Sequence, residues 1–515
     1  MAKVLVVGGA GYVGSAACAW LLDKGHDVWV LDDLSTGHRE LVLSDGFTLS
    51  KAGDSASLKN LFSAAQFDCV MHFAAFSLVG ESMTKRDAYF DNNVLQTQTL
   101  LEVMLQSGIK NFVFSSSCAV FGDPGGQVIN ETLPKHPINP YGETKLAVED
   151  MLGRLAQSHG LNSIALRYFN AAGAEPKLRV GEWHSKESHL IPNVLKAVLE
   201  DRPVQIFGNT YPTPDGTCVR DFIHVTDLAA AHESAMCRLL EINQSNSTGN
   251  FSAYNLGSEK GSSVLEVIQA CEKVIGRSIK KEIKEKRPGD PSRLIADSSL
   301  ARRELNYKLA SNTLDSIIQT AWSWENKLRE PRKAVFLDRD GTLNDDPGYI
   351  NDPNIIKLFP GVGDALLRLK KAGYLLIVVS NQSGVGRGLI KETALPLIND
   401  RLNQLLKPSG VKIDHFELCY HHPDKNCECR KPKPKMILDA AKKFNVALSA
   451  SFVVGDKESD LHAGRNAACK AVALVRTGNG QDTEKKVKGN GLADFIGDSL
   501  GSVVDWILDQ ETARP

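Results

Sequence analysis

The stretch VLVVGGAGYVGS, residues 4–15, decides how the first part of this 515-residue chain folds. Its apolar start predicts a buried strand, and the glycine-rich turn that follows leads into a helical pattern. Glycines at this spacing allow a tight turn, a close approach of a diphosphate and close packing of the helix on the strand. Free N–H groups at the helix N-terminus favour an anion. The stretch therefore predicts a dinucleotide site formed by Gly8, Gly11, Tyr12, Val13 and Gly14.

Two acidic residues follow the next two strands of this predicted unit. Asp32 ends the strand DVWVLD, where a carboxylate accepts hydrogen bonds from the adenosine ribose hydroxyls and repels a 2′-phosphate. This position favours NAD over NADP, although an aspartate at a strand end can also cap a turn. Asp54 follows the third strand, and we expect it to reach the adenine amino group.

A tyrosine and a lysine four residues apart begin a predicted helix in the segment NPYGETK, residues 139–145. Tyr141 and Lys145 share one helix face. A free phenol has a pKa of about 10, and a neighbouring ammonium or a positively charged nicotinamide ring favours the phenolate. We predict that Tyr141 is a general base for a sugar hydroxyl and that Lys145 supports it. Ser117, at the end of NFVFSSS, is predicted to bond the same oxygen. Without the other motifs, a tyrosine and a lysine at this spacing would be explained as neighbours on an exposed helix face.

The alternation of β-branched strands and helical patterns predicts an α/β fold with a doubly wound, parallel Rossmann sheet. The dinucleotide-binding part takes about residues 1–170, and a smaller mixed substrate lobe is expected over 171–330. A short polar hinge follows, and a second Rossmann-like domain is predicted for residues 334–515. Its polar, glycine-rich stretch at residues 478–491 predicts a loop.

Polar residues follow the predicted strands of the second domain. The segment FLDRDGT places two carboxylates two residues apart, so that one can attack phosphorus while the other moves the leaving-group proton. Oxygen ligands suit Mg²⁺, and a metal with a lysine can neutralise a developing phosphoryl charge. The predicted magnesium ligands are Asp338, Asp340 and Asp456, and the predicted phosphoryl contacts are Ser380, Asn381 and Lys431.

Three of the ten cysteines lie close together with a histidine, in the spacing C-x-H-x5-C-x-C. Three thiolates and an imidazole form a closed tetrahedral Zn²⁺ site, which is structural because no coordination position stays open. The predicted ligands are Cys419, His421, Cys427 and Cys429, with His422 as an alternative to His421. Such a site would hold the loop that carries Arg430 and Lys431.

The charge, hydropathy and cysteine content of the chain indicate which partners to expect. The 60 basic and 61 acidic side chains give a formal net charge of −1, so charge gives no reason to expect nucleic acid or an anionic membrane as a partner. No apolar run reaches the roughly 20 residues that a membrane helix needs. The remaining cysteines lie in apolar contexts as expected for free thiols, which predicts a cytoplasmic location. The motifs above predict small-molecule substrates.

The first part of the chain resembles the extended short-chain dehydrogenase/reductase superfamily, and within it the UDP-glucose 4-epimerase family. The segments HFAAFSLVGES, NPYGETK, RYFNAAGA and IFGNTYPTPDGTCVRDFIHVTDLA carry the resemblance. The resemblance implies that NAD stays bound while a 4-keto sugar forms and is reduced from its other face, with Ser117, Tyr141 and Lys145 at the reacting hydroxyl. It also implies a homodimer, and nucleotide binding by Asn170, Arg220, Arg287 and Asp290.

The second part resembles the haloacid dehalogenase superfamily, and is most similar to its D-glycero-D-manno-heptose 1,7-bisphosphate 7-phosphatase family. GTLNDDPGYI, VVSNQSGVGRG and CRKPKPKM carry this likeness. The resemblance implies that Asp338 forms an aspartyl-phosphate and that Asp340 acts first as acid and then as base. Ser380 and Lys431 would stabilise the phosphoryl group, and Arg430 would meet a second phosphate of the substrate.

The two sets of motifs together predict a bifunctional enzyme that serves nucleotide-sugar and heptose supply for polysaccharide. One alternative keeps both folds and changes the substrates to another nucleotide-hexose or nucleotide-heptose, and to histidinol phosphate or another sugar phosphate. Another alternative is a regulatory module in which one domain only senses a nucleotide. The presence of Tyr141, Lys145, Asp338 and Asp340 favours two active enzymes.

Overall fold

The computed structural model describes residues 1–244, 249–287, 289–311 and 313–512. These residues form two compact units, Met1–Leu328 and Arg329–Pro515. None of the described helices is both long and apolar enough to cross a membrane.

The described part of the first unit contains thirteen strands and eleven helices. The strands are β1 Lys3–Val7, β2 Asp27–Asp32, β3 Gly46–Leu49, β4 Cys69–His72, β5 Asn111–Ser117, β6 Asn162–Tyr168, β7 Asn170–Ala172, β8 Val204–Phe207, β9 Val219–His224, β10 Phe251–Leu256, β11 Gly261–Ser263, β12 Lys281–Lys284 and β13 Arg293–Leu294. The helices are α1 Tyr12–Asp23, α2 Ser55–Ala64, α3 Val79–Ser82, α4 Arg86–Phe90, α5 Gln96–Gln106, α6 Pro140–His159, α7 Leu190–Leu199, α8 Val225–Gln244, α9 Val264–Ile275, α10 Ser299–Leu305 and α11 Leu314–Arg329.

A seven-stranded parallel sheet organises the first unit, in the order β10-β6-β5-β4-β1-β2-β3. Its strands are buried on both faces, as expected for a sheet covered by helices. The strand order reverses between β4 and β1, and ligands of such sheets bind at this switch point, beyond the carboxyl ends of the strands. Smaller sheets formed by β7, β9, β11 and β13, and by β8 and β12, belong to the part that the sequence assigned to a substrate lobe.

Six strands and seven helices make up the described part of the second unit. The strands are β14 Ala334–Leu337, β15 Leu375–Asn381, β16 His415–Cys419, β17 Phe452–Gly455, β18 Ala471–Val475 and β19 Phe495–Gly497. The helices are α12 Val362–Lys371, α13 Ser383–Gly386, α14 Ala394–Leu406, α15 Lys435–Phe444, α16 Glu458–Asn466, α17 Gly480–Val487 and α18 Leu500–Thr512. The strands form one parallel sheet in the order β16-β15-β14-β17-β18-β19. This architecture confirms the predicted α/β fold class.

One local prediction for the second unit is wrong. The stretch at residues 478–491, predicted as a loop, contains α17. Thr483 and Val487 lie on the buried side of this short helix. The polar composition of the stretch hid this helix, because only three of its eight residues are buried.

Candidate active sites

The glycine turn between β1 and α1 is shaped by close backbone contacts. Gly8 has a φ of +84°, and a Cβ there would lie 2.4 Å from the nitrogen of Ala74. A Cβ on Gly14 would lie 2.2 Å from the oxygen of Gly8. Helix α1 begins after Gly11, which provides no side chain to cap it. The first N–H groups of α1 are therefore open to an anion at the position that the sequence predicts.

The other residues predicted to bind the cofactor have local partners as well. The carboxylate of Asp32 accepts hydrogen bonds from the nitrogens of Ala10, at 3.0 Å, and Leu34, at 2.8 Å, so it contacts the glycine turn directly. Burial raises the pKa of this carboxyl. The hydroxyl of Tyr12 donates to the oxygen of Gly173 at 2.6 Å, and Val13 is partly buried.

Asp54 has a structural role that was not predicted. It is the N-cap of α2, and one of its carboxylate oxygens accepts the N–H groups of Ala56 and Ser57. An aspartate just before a helix is a strong capping signal. A contact of Asp54 with adenine stays a prediction, and the carboxylate would have to serve both purposes.

Tyr141, Lys145 and Ser117 lie together at the carboxyl end of β5. The start of helix α6 fixes the position of Tyr141. Asn139 caps this helix by accepting the N–H of Gly142, and Pro140 occupies its first turn. The ammonium of Lys145 donates to the oxygen of Ser115 at 2.8 Å and lies 5.7 Å from the centre of the Tyr141 ring.

The pKa values of Lys145 and Tyr141 shift in opposite directions. Burial lowers the pKa of Lys145 to about 7. Burial raises the pKa of Tyr141 above its usual range, and a hydrogen bond with Ser117 partly opposes that rise. The phenol therefore keeps its proton in this protein until a positive charge comes next to it.

A buried ion pair beneath this group was not predicted. Arg167 donates to both carboxylate oxygens of Glu149, at 2.8 and 2.6 Å, and the hydroxyl of Ser116 donates to one of them at 2.7 Å. Glu149 lies one helical turn after Lys145 on α6, and its charge partly opposes the fall in the Lys145 pKa. We assign Glu149 and Arg167 a positioning role, since they connect β5, β6 and α6.

The four residues that the resemblance assigns to nucleotide binding fall into two arrangements. Arg220 on β9 pairs with Asp290 at 2.5 Å, and Asn170 on the neighbouring β7 donates to the oxygen of Asp221 at 3.1 Å. Arg287 stacks its guanidinium over the ring of Phe207, 4.0 Å from the centre. Their contacts to a nucleotide stay predictions.

In the second unit, a lysine and three carboxylates meet at the ends of β14 and β17. Asp338, Asp456 and Asp460 place their nearest oxygens within 4.8 Å of one another. The ammonium of Lys431 lies 2.6 Å from Asp338, 2.6 Å from Asp460 and 2.7 Å from the oxygen of Val379. Burial lowers the pKa of Lys431, but the two carboxylates outweigh it and the pKa is raised.

Asp456 has the features of a metal ligand. Its Oδ2 accepts hydrogen bonds from the backbone and side-chain nitrogens of Asn479, whereas its Oδ1 is buried with no hydrogen-bond partner in the described part of the chain. Burial and the charge of Asp338 raise the pKa of Asp456 to about 7. A divalent cation would relieve both conditions. Asp460 belongs to the same group but was not predicted as a ligand.

The structure does not bring the side chain of Asp340 to this carboxylate group. Arg339 donates to both of its oxygens, at 3.0 and 2.8 Å, and Asn344 and Gln382 donate at 3.0 and 2.9 Å. Burial raises the pKa of Asp340, but the charge of Arg339 and these hydrogen bonds outweigh it and lower the pKa. Magnesium binding through the Asp340 carboxylate therefore gains no support from the geometry.

The side chains at the end of β15 that are predicted to contact the phosphoryl group already make hydrogen bonds within the protein. The side-chain amide of Asn381 accepts from the nitrogen of Lys431 at 3.0 Å and donates to its oxygen at 3.1 Å. Asn381 therefore positions the lysine. The hydroxyl of Ser380 accepts from Gln382 at 2.9 Å and can still donate its own proton. Nη1 of Arg430 is buried and has no hydrogen-bond partner among the residues described.

The predicted zinc ligands come together in one loop. The sulfurs of Cys419, Cys427 and Cys429 lie 3.3 to 3.6 Å apart, and Nδ1 of His421 lies 3.2 Å from the nearest of them. His422 is outside the group, and its Nδ1 accepts from the nitrogen of Asp424 at 3.3 Å. These four residues could hold a metal ion.

The fold and the site of the first unit define a Rossmann-type protein with a dinucleotide turn and a tyrosine–lysine pair. Residues 4–257 match the NAD-dependent epimerase/dehydratase family. The chain belongs to this family. It is similar to the UDP-glucose 4-epimerase of Halalkalibacterium halodurans, with 46% identity over 325 residues, which are 63% of this chain and 96% of that protein. The enzyme of the same name from Lacticaseibacillus casei is 46% identical over 339 residues, 65% of this chain and 99% of that protein.

Solved structures agree with these relatives. The UDP-glucose 4-epimerase of Brucella ovis in complex with NAD is 42% identical, with a TM-score of 0.60, and the match covers 63% of this chain and 98% of that one. A Stenotrophomonas maltophila epimerase with bound NAD and formylated UDP-arabinopyranose is 37% identical, with a TM-score of 0.61, over 64% and 99% of the two chains. Residues 428–503 match the HAD-hydrolase-like family, which confirms the haloacid dehalogenase assignment of the second part.

Proposed function

We propose that the first unit interconverts UDP-glucose and UDP-galactose. The observation that carries the proposal is the group of Tyr141, Lys145 and Ser117 at the carboxyl edge of the sheet, beside a glycine turn that is open to a diphosphate. The names of the relatives supply the substrate class. Another nucleotide-hexose or nucleotide-heptose is the alternative substrate.

The residues of the chain divide the work at the sugar hydroxyl. When bound, NAD would supply hydride transfer at the sugar carbon and a positively charged ring that favours the phenolate. Tyr141 takes the hydroxyl proton and gives it back, while Ser117 bonds the same oxygen and holds the phenol in place. Lys145 would bond the cofactor, and it adds positive charge near the phenol when it is protonated. Arg220 and Arg287 hold the diphosphate, since a guanidinium bonds phosphate oxygens in pairs.

The test of this unit begins with the purified chain. We expect nicotinamide dinucleotide to be released when the protein is denatured, and we expect UDP-galactose to be converted to UDP-glucose without added cofactor. A protein that contains no dinucleotide and stays inactive when NAD is supplied would contradict the proposal. Conversion of other UDP-sugars, and not of UDP-galactose, would move it to the alternative substrate.

We propose that the second unit hydrolyses a sugar phosphate through an aspartyl-phosphate on Asp338. Asp338, Asp456 and Asp460 fit a magnesium ion, which would shield the charge of the phosphoryl group. Asp338 attacks phosphorus, and Lys431 and Ser380 bond the phosphoryl oxygens. Asp340 would take up a proton from solvent, donate it to the leaving oxygen, and then accept one from the water that cleaves the aspartyl-phosphate and frees Asp338. For that step it must first exchange one of its present hydrogen bonds.

For the substrate we propose D-glycero-D-manno-heptose 1,7-bisphosphate, with cleavage of the 7-phosphate. The unpartnered Nη1 of Arg430 supports a second anionic group near the reacting phosphate. Histidinol phosphate and other sugar phosphates are the alternatives. The test is a phosphate-release screen across heptose bisphosphate, histidinol phosphate and hexose phosphates, with and without Mg²⁺. A preference for a monophosphate would contradict the assignment of Arg430.

We also propose that Cys419, His421, Cys427 and Cys429 bind one Zn²⁺. Tetrahedral zinc with sulfur ligands at about 2.3 Å places those sulfurs about 3.8 Å apart, close to the spacings in the loop. The ion would hold the segment that leads into Arg430 and Lys431. We expect metal analysis to find zinc that a Cys427→Ser, Cys429→Ser variant lacks. Equal zinc in both proteins would contradict this site.

The remaining proposals concern organisation. We propose functional boundaries at residues 1–330 for the epimerase and 334–515 for the phosphatase, and a homodimer by similarity to epimerases of this kind. All ten cysteines are free, which supports a reducing compartment such as the cytoplasm. Sedimentation of the purified chain measures the oligomeric state, and a monomer would contradict the dimer.

A further inference from the structure

Two histidines and two glutamates meet in the segment between β7 and α7 of the first unit. Glu182, His184, Glu187 and His189, here called the Glu/His group, each offer one ligand atom, and these atoms lie within 4.8 Å of one another. Glu182 is buried, and the other three are partly buried. The spacing is E-x-H-x2-E-x-H, and neither the proposed epimerase nor the proposed phosphatase uses it.

The spacing of the Glu/His group is close to that of ligands around one metal ion. Tetrahedral oxygen and nitrogen ligands at about 2.0 to 2.1 Å lie about 3.3 Å from each other. Nδ1 of His184 lies 3.3 Å from Oε1 of Glu182 and 3.7 Å from Oε1 of Glu187. Nδ1 of His189 lies 4.0 Å from the same Glu187 oxygen and is in close contact with Glu182.

Two carboxylates converge on one of these nitrogens. Nδ1 of His184 is buried and lies 3.3 Å from Glu182 and 3.7 Å from Glu187, with no well-aligned hydrogen bond to either within the described residues. The distance suits an ion pair, but the alignment is not that of an N–H donor. Ligands that point at one metal ion have this relation to each other. The two imidazoles also lie edge to face, with centres 5.5 Å apart.

We propose that the Glu/His group binds one structural divalent metal ion of the zinc type, distinct from the thiolate site of the second unit. Imidazole nitrogen with carboxylate oxygen suits Zn²⁺, whereas Mg²⁺ and Ca²⁺ favour sets of oxygen ligands. Four protein ligands leave no open position, so the ion holds structure and does no chemistry.

The position of the group indicates what the ion would hold. Trp183 stacks on His38 with ring centres 4.0 Å apart, and the nitrogen of His38 donates to the oxygen of Ala10 in the glycine turn. The Trp324 ring nitrogen donates to the oxygen of Glu182 at 2.8 Å. His184 lies edge-on to Tyr12, 6.4 Å away between centres. The metal would fasten this segment beside the dinucleotide turn.

The experiment counts zinc in the full chain. The protein is stripped with a chelator, reloaded with Zn²⁺ in excess Mg²⁺ so that the carboxylates of the second unit are filled, and desalted. We expect two zinc ions per chain in the natural sequence and one in a His184→Gln, His189→Gln variant. The matched control is His26→Gln, which removes a histidine that pairs with a single carboxylate, Glu233, at 3.2 Å. The control should keep both ions.

Equal zinc in the natural chain and the double variant would overturn the proposal. If the double variant does not fold, as judged by circular dichroism, Co²⁺ binding to the natural chain decides. Cobalt on thiolates absorbs strongly in the near ultraviolet, so a second retained equivalent without further thiolate absorption supports the Glu/His group, and a single equivalent overturns it. The zinc count does not depend on NAD, so a chain that holds this metal but no dinucleotide would contradict only the proposed epimerase.

Discussion

The two units each bury a lysine at the carboxyl edge of a parallel sheet, and the two lysines behave in opposite ways. Lys145 and Lys431 are 4% and 5% exposed, so burial alone treats them alike. Lys145 contacts a carbonyl oxygen and an aromatic ring, and its pKa falls to about 7. Lys431 contacts the carboxylates of Asp338 and Asp460, and its pKa rises.

This difference shows that burial lowers the pKa of both amines and that the neighbours decide whether the fall is reversed. A lysine whose pKa lies near neutrality responds to a charge that arrives beside it, as suits a site where a phenol releases and regains a proton. A lysine clamped between carboxylates remains a fixed cation, as suits a site that must hold a phosphate. Substitutions on either side can break or sharpen the contrast between the two sites.

The largest effect is expected from Asp338→Asn, which removes both the proposed nucleophile and one anchor of Lys431. Phosphate release should fall about 10⁴-fold or more, because loss of a nucleophile stops the covalent step. The epimerase rate should stay within about twofold, since we propose independent sites. The measurement is phosphate release and UDP-galactose conversion on the same preparation.

The control for Asp338 is Asp439→Asn, at an exposed carboxylate that pairs with Lys435 at 2.7 Å. It should leave both rates unchanged. A parallel loss of both activities in the Asp338 variant would mean that the two sites are coupled, or that the whole chain has lost its fold.

Tyr141→Phe tests the proton-moving side of the comparison. Removal of the phenol oxygen should lower the epimerase rate by about 10² to 10⁴-fold and leave phosphate release unchanged. The variant should still release dinucleotide on denaturation, because the glycine turn is intact. Tyr254→Phe is the matched control, since the hydroxyl of Tyr254 bonds Glu304 at 2.9 Å. Full epimerase activity in the Tyr141 variant would exclude this residue as the base.

A smaller effect is expected from Asn381→Ala, which frees the backbone of Lys431 without touching its ammonium. A small displacement of the lysine should lower kcat for phosphate release by about 10 to 100-fold and leave KM nearly unchanged. If Asn381 binds the substrate directly, as its position at a strand end predicted, KM rises instead. Asn381→Asp keeps the oxygen that accepts from Lys431 and should recover part of the rate.

Local signals explain how much of this architecture the sequence predicts. The glycine turn, its strand and its helix are neighbours in the chain, and the cap at Asn139 with Gly160 at the other end sets the limits of α6. The end of β5 and the start of α6 then bring Ser117 to Tyr141, and the ends of the parallel strands β14 and β17 bring Asp338 to Asp456. The roles of these residues in chemistry are inferred from that placement.

Side-chain partners far apart in the chain could not be read in the same way. The sequence gives no signal that the amide of Asn381 bonds the backbone of Lys431, or that Arg167 pairs with Glu149. Asp340 stands beside Arg339 in the sequence, but only the fold shows that they bond each other. The Glu/His group is different, since its spacing is local and a search for four nearby metal ligands would have found it.

The smallest effect expected separates the two lysines by stability. An ammonium with a lowered pKa destabilises the folded state fully at low pH, and this cost fades as pH rises from about 7 towards the unfolded value near 10.4. Lys145→Met should therefore raise the melting temperature by a few degrees at pH 7 and by less at pH 9. The raised pKa of Lys431 has the opposite effect on stability. Its charge stabilises the folded state at pH values below the pKa of an unfolded lysine, so Lys431→Met should lower the melting temperature at pH 7. Scanning calorimetry at both pH values measures this, with Lys59→Met, at an exposed position of α2, as control. Equal shifts for the two buried lysines would show that their neighbours do not set their charge.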